Sequence, residues 1–128
     1  MDAGRTLPAP SPSPDSRPFY EAAAGGRFLI RRCQACQRAH WYPRALCPFC
    51  FGGTAWEEAS GQGVIYSVSV MRRVSPPYAL AYVTLAEGPT MMTNMVGCDL
   101  DALRIGQAVR VVFHPAEDGT PVPCFTPC

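Results

Sequence analysis

Two Cys-x-x-Cys pairs constrain this chain more than any other feature. Cys33-Gln34-Ala35-Cys36 is followed, after ten residues, by Cys47-Pro48-Phe49-Cys50. Each pair can form a tight knuckle, and four thiolates at about 2.3 Å complete the tetrahedral shell that Zn²⁺ prefers. Such a site has no open position, so its role is structural. The spacer is shorter than in one common zinc pattern, yet two short strands and a turn fit within it. Two disulfides would suit a secreted chain, but nothing in the sequence reads as a signal peptide. A redox Cys-x-x-Cys needs no second copy. Iron accepts the same four sulfurs, and the sequence separates it poorly from zinc. The expected cofactor is structural zinc on Cys33, Cys36, Cys47 and Cys50.

A length of 128 residues admits one domain or two very small ones. With 14 prolines and 11 glycines, the chain favours turns and short strands over long helices. No apolar run approaches the ~20 residues needed to span a bilayer. Every basic residue is arginine, which excludes Schiff-base chemistry and a phosphate-loop lysine. Between Arg17 and Arg44 the only acid is Glu21. This basic cluster either offsets the negative zinc–thiolate centre, through Arg31, Arg32, Arg38 or Arg44, or meets an anionic ligand or partner.

Residues 1–16 carry Pro8, Pro10, Pro12 and Pro14 among Ser and Ala, with no helical period. They read as a disordered arm, and the absence of an apolar leader core makes cytoplasmic the expected location. Residues 17–60 read as a short helix and a zinc ribbon. Asp15 or Ser16 can cap the helix, Pro18 suits its first turn, and Gly25-Gly26 ends it. Phe28–Arg32, Ala39–Tyr42 and Ala55–Glu58 then form a small three-stranded ribbon. A unit this small needs its metal for stability. His40 could replace a sulfur, but four cysteines already fill the shell.

From residue 61 the period becomes two, and residues 61–128 read as an OB-fold domain. Five strands are expected: 64–71, 80–86, 90–96, 108–113 and 122–125. A helical turn at 99–103 separates the third from the fourth, as in a small OB-type barrel. Pro121 and Pro123 place the last strand at an edge or opening. The predicted fold is therefore mostly β: a short N-terminal helix, a rubredoxin-like zinc ribbon and a C-terminal five-stranded OB-fold barrel.

Several stretches together resemble a family of acyl-CoA-associated zinc-ribbon plus OB-fold proteins, long labelled a domain of unknown function. They are Pro18-Phe19-Tyr20-Glu21-Ala22-Ala23, Leu29-Ile30-Arg31-Arg32-Cys33, Cys47-Pro48-x-Cys50 and Gly61-Gln62-Gly63-Val64-Ile65-Tyr66-Ser67. Further matches are Pro77-Tyr78, Thr93–Cys98, Arg104-Ile105-Gly106 and Pro123-x-Phe125-x-Pro127. The resemblance implies a non-catalytic accessory subunit of a thiolase-superfamily enzyme: a thiolase, an acyltransferase or a lipid-transfer-protein-type aldolase of lipid or steroid metabolism. It also implies that ribbon and helix bind that partner while the barrel helps hold acyl-CoA. Three departures stand out. Gln37 and Phe51 occupy knuckle positions that are commonly Gly, where left-handed backbone costs another residue about 1–2 kcal/mol. Tyr20 replaces the usual Trp, and the loop from Arg72 to Pro77 looks shorter than in many members.

Phe19 and Tyr20, on a helix too short to be stable alone, form the expected partner face with Arg27, Arg31 and Arg32. Arg72, Arg73, Tyr78 and Asn94 are the acyl-CoA candidates. No residues are assigned to catalysis: no carboxylate pair or Ser/His/Asp set stands out, and Cys98, Cys124 and Cys128 have only His114 as a candidate base. Nucleic-acid binding is the main competitor, because ribbons and OB barrels both serve it. It is disfavoured because Leu80–Val96, where an OB face needs basic and aromatic side chains, contains no Arg and only Tyr82. A stand-alone CoA-ester carrier is the third reading.

Overall fold

The computed structural model describes residues 6–128. Helix α1 (Arg17–Ala24) begins with Pro18 in its first turn and stops at Gly25, whose N–H bonds the Ala22 carbonyl at 3.0 Å. Ser16 caps it by position but not by side chain; its hydroxyl instead accepts from Ser13 N–H at 2.9 Å. Phe19 and Ala23, one turn apart, are the buried face.

Three short strands follow: β1 (Leu29–Cys33), β2 (Ala39–His40) and β3 (Thr54–Glu58), in the antiparallel order β2-β1-β3. The barrel is built from β4 (Gln62–Met71), β5 (Tyr78–Leu85), β6 (Thr90–Met95), β7 (Ala108–Pro115) and β8 (Pro121–Pro127). A 3₁₀ turn, Leu100–Ala102, precedes β7, capped by the Asp99 carboxylate accepting from Asp101 N–H. The barrel closes in the order β4-β5-β6-β8-β7. Gly63 permits that closure, since a Cβ there would lie 2.7 Å from the Thr84 carbonyl oxygen on β5.

The prolines of β8 act as expected of residues without an amide donor. β8 has a full ladder with β7 but meets β6 in parallel through a single pair, Met95↔Phe125. The β6/β8 seam is thus the shortest ladder in the closed barrel, so β8 is not a free edge.

Helix, ribbon and barrel share one core. Phe28, just before β1, lies within about 6 Å of Phe19, Trp41, Phe113 and Phe125, ring centroid to centroid. Inside the barrel, Ile65, Val83, Leu85, Met91, Val109 and Phe125 continue the same cluster.

The expectation of a disordered arm is corrected over residues 6–16, while residues 1–5 lie outside the described residues. Leu7 is buried against Val96, Ala116 and Cys124, and its carbonyl accepts from Glu117 N–H at 2.9 Å. Ala9 N–H donates to the Glu117 carboxylate at 3.0 Å. One apolar residue and two hydrogen bonds are enough to seat a proline-rich strap that has no secondary structure. Among the described residues no helix is long and apolar enough to cross a membrane.

Candidate metal centre and docking face

The metal centre is made by two knuckles of the same design. After Cys33 the chain turns back so that Ala35 N–H and Cys36 N–H both donate to Cys33 Sγ at 3.3 Å. After Cys47, Phe49 N–H donates to Cys47 Sγ at 3.4 Å. These donors stabilise the thiolate: the Cys33 thiol is pulled down to about 6, chiefly by the Cys36 N–H.

The four sulfurs all lie within 4.8 Å of one another. Cys33 Sγ sits 3.5 Å from Cys50 Sγ, and Cys36 Sγ 3.7 Å from Cys47 Sγ. A zinc tetrahedron with bonds of about 2.3 Å has edges of about 3.8 Å, so the sulfur cage fits the ion. Gly52 lets the second knuckle close on the first. A Cβ there would meet Ala35 Cβ at 2.9 Å and Cys33 Sγ at 3.2 Å.

Gln37 and Phe51 do adopt the left-handed backbone that the knuckle demands, at φ 67° and 64°. His40 lies outside the ligand cluster and is buried, with neither ring nitrogen in a hydrogen bond. Its proton affinity is lowered, chiefly by burial and then by Arg31 and Arg44.

The expected partner face is corrected in part. Phe19 is fully buried, packed edge-on against Tyr20 and Trp41 at 5.0 and 5.1 Å. It is core because a short helix is held only by burying its largest apolar side chain. Tyr20 is half-buried, its hydroxyl 3.3 Å from that of Tyr42, and burial and this contact push its phenol pKa up. Arg27, Arg31 and Arg32 are engaged within the chain. Arg27 pairs with Glu58 at 3.2 Å, and Arg32 forms a two-pronged pair with Glu57 at 2.8 and 3.0 Å. Arg31 donates to the Thr54 hydroxyl at 2.6 Å and lies over the Trp56 ring at 4.6 Å.

Arg27 remains exposed beside its ion pair, and a further exposed set lies on the second knuckle. Leu46, Phe49 and Phe51 of the second knuckle are 57%, 54% and 77% exposed, and Tyr42 stands beside them in sequence at 37%. Arg38 stacks on Phe49 at 4.7 Å. From Cys33 to Gly53 there is no acid, and among the described residues neither Arg38 nor Arg44 forms an ion pair. The signal available in the sequence was Phe51 itself, a large residue where glycine costs least.

The four acyl-CoA candidates lie at one end of β4, β5 and β6, but only Arg72 lines a cavity there. Arg72 pairs with Asp101 and lines a cavity of about 730 Å³ with Val70, Pro77, Cys98 and Leu100. Arg73 lies on the turn before β5, Tyr78 starts β5 opposite Met71, and Asn94 sits on β6 opposite Leu80. None of these three lines the cavity.

Family models match both halves of the chain: the ChsH2 rubredoxin-like zinc ribbon domain over residues 21–57 and the ChsH2 C-terminal OB-fold domain over 56–114. The chain is 35% identical over 127 residues to a probable enoyl-CoA hydratase alpha subunit of Thermomonospora curvata, and spans 40% of that protein's length. It is 35% identical over 98 residues to a DUF35 domain-containing scaffold protein of Methanocaldococcus jannaschii, covering 69% of each chain. Among solved structures it matches an Ltp2-ChsH2(DUF35) aldolase with TM-score 0.80 and 33% identity, covering 93% of this chain and 98% of the other. A DUF35 protein of unknown function from Sulfolobus solfataricus, at 12% identity and TM-score 0.68, shares the fold. The chain thus belongs to the DUF35 family, with the zinc ribbon and OB-fold domains of the ChsH2 type.

Proposed function

We propose that this chain is a non-catalytic accessory subunit of a thiolase-like acyl-CoA enzyme, docked through its second knuckle and helping to hold the acyl-CoA beside the barrel. The observation that carries this reading is the likeness to the ChsH2(DUF35) chain of an aldolase, along nearly the full length of both chains. The exposed knuckle supports it independently. Leu46, Phe49 and Phe51, with Arg38 and Arg44 at the rim, have the aromatic and arginine make-up of an interface centre. Phe51 is also held in a left-handed conformation, a strain that persists where function needs the side chain.

For acyl-CoA, the cavity beside the 3₁₀ turn offers Val70, Pro77 and Leu100 as apolar wall, with Asp99, Asp101 and the Asp101-paired Arg72 on its polar side, so that Arg72 would meet a phosphate only by exchanging its carboxylate partner. Zinc holds the knuckle in shape and takes no part in the chemistry, since all four of its positions are protein sulfurs.

Co-expression with the thiolase-like protein from the same source tests the reading. The wild type is expected to co-elute with the enzyme. Phe49→Ser with Phe51→Ser should weaken binding at least about thirtyfold, with zinc content unchanged. Full co-elution of that double variant, or absence of any thiolase-superfamily protein from the purified complex, would overturn the proposal.

A further inference from the structure

The rim of the second knuckle carries charge that its own chain leaves unanswered. From Ala22 to Trp56 there are five arginines and no acid. Strand β3 supplies partners for the arginines nearest to it. Glu58 pairs with Arg27 and Glu57 with Arg32, while Arg31 turns to Thr54 and the Trp56 ring. Arg38 and Arg44 are exposed and, among the described residues, have no carboxylate partner. Both are nevertheless held in place. Arg38 lies over the Phe49 ring at 4.7 Å, and its carbonyl accepts from Cys33 N–H at 2.8 Å. The Arg44 carbonyl accepts from the Thr54 hydroxyl at 2.6 Å, and Leu46 is bridged to Gly53 across the knuckle. Two fixed cations thus border the exposed apolar centre made by Leu46, Phe49 and Phe51.

Resting on the docking role proposed for this knuckle, we infer that the enzyme surface covering it is acidic at its rim. Carboxylates of the enzyme face Arg38 and Arg44, around an apolar recess that takes Phe51. Charge complementarity selects that chemistry. Guanidiniums desolvated without an opposite charge are costly, so a neutral or basic surface is penalised here and a carboxylate is favoured. A guanidinium also meets a carboxylate through two parallel hydrogen bonds, which fixes orientation as well as sign. The apolar centre favours protein over a phosphate polymer or an anionic membrane. Nucleic acid is met by extended rows of basic residues, whereas this face has two unpaired arginines around three apolar side chains, on a chain of net charge +1. An apolar core inside a polar rim is the anatomy of a protein–protein contact. The negative zinc–thiolate centre is the competing use of the same two arginines, and zinc content separates the two roles.

Binding of the full zinc-loaded chain to the thiolase-like enzyme is to be followed by surface plasmon resonance at about 50 mM and about 500 mM salt. Association of the wild type is expected to slow at least about tenfold over that range. Arg38→Gln with Arg44→Gln should flatten the salt dependence. Arg38→Glu with Arg44→Glu should weaken binding at least about thirtyfold, with zinc content and thermal unfolding at wild-type values. Carbodiimide labelling should find carboxylates of the enzyme that the chain protects, and changing those to lysine should restore binding to the Arg38→Glu, Arg44→Glu chain. Four results overturn the acidic rim. Binding insensitive to salt and to both pairs of substitutions, yet broken by Phe49→Ser with Phe51→Ser, removes the rim and leaves the docking role standing. Loss of zinc from either pair assigns the two cations to the metal centre. Tighter binding to duplex DNA or to phosphatidylglycerol vesicles than to the enzyme puts a polyanion in the enzyme's place. A wild type that binds no enzyme at either salt concentration removes the rim and the docking role together.

Discussion

The ribbon and the barrel solve the same problem with opposite resources. The barrel buries a row of apolar side chains on nearly every strand, from Ile65 through Val83 and Met95 to Phe125. Its ladders β4–β5 and β7–β8 run for most of their strands. The ribbon pairs β1 with β2 through only two residues and keeps little more than Leu29, Ile30 and its buried cysteines out of water. A metal stands where its core would be. Yet the two are not separable bodies, because Phe28 joins them through Phe19 and Trp41 on one side and Phe113 and Phe125 on the other. A metal-held unit can therefore be strong locally and still lean on the larger core.

The most severe way to break the contrast is to remove the metal. Cys47→Ser should abolish tight zinc binding, with elemental analysis falling from near one equivalent per chain. Hydrogen exchange should then show the ribbon amides, from β1 to β3, unprotected. The barrel should stay folded but melt earlier, because an unfolded ribbon uncovers Phe28 and the rings against it. A barrel with unchanged melting temperature would show that the shared core carries no coupling.

Cutting the joint without touching the metal comes next. Phe28→Ala removes a buried ring that reaches both units, and such truncations cost about 3–5 kcal/mol. Phe19→Ala deletes the helix anchor and should cost a similar amount, with α1 losing protection. Zinc content should hold in both, since neither ring belongs to the sulfur cage. Loss of zinc from either variant would mean that the knuckles depend on the core more than the metal supports them.

What the sequence made legible follows the same division. The four ligands could be read from spacing alone, because a sulfur cage is a local device. The strands could be read because alternation across β4 and β5 is local too. Even the left-handed Gln37 and Phe51 were foreseeable, since the knuckle dictates their backbone. What failed depended on distant parts of the chain. Phe19 and Tyr20 are adjacent aromatics in one helix, and only the position of Phe28 and Trp41 makes the first core and the second a rim residue. Arg27, Arg31 and Arg32 looked available until β3 supplied Glu58, Thr54 and Glu57 opposite them. The strap around Leu7 was illegible for the same reason, because its partner Glu117 lies near the other end of the chain. Arg72, Arg73, Tyr78 and Asn94 come to one end of β4, β5 and β6, yet only Arg72 reaches the cavity there.

A substitution at the knuckle sharpens the comparison by separating stability from binding. Phe51 is exposed and left-handed, so Phe51→Gly relieves backbone strain while losing little packing. A gain of about 1 kcal/mol in stability is expected, read by denaturant unfolding of the zinc form. The same variant should bind the enzyme partner less well. Such a pair of opposite effects would mark Phe51 as kept for contact rather than for the fold, whereas a destabilised Phe51→Gly would make the ring a structural part of the knuckle.

The smallest effect concerns the ion pair that ties β1 to β3. Hydrogen bonds from Arg32 hold the Glu57 carboxyl below its usual pKa, and the pair stands at 2.8 Å with about a third of each side chain exposed. A carboxylate whose folded pKa is lowered adds stability above its unfolded value, about 4.3 for Glu, and loses it as pH falls through the folded value. Solvent screening limits the contribution to about 0.5 kcal/mol. Glu57→Gln should therefore be slightly less stable than wild type at neutral pH, and the gap should close on acidification. Only the difference between the two proteins is informative, because the zinc thiolates of both are protonated and released over the acid range as well. The barrel has no counterpart on β4, β5 or β6, where no strand residue carries a charge. A gap that persists to the lowest pH at which both proteins remain folded would assign the loss to packing of the Glu57 side chain rather than to its charge.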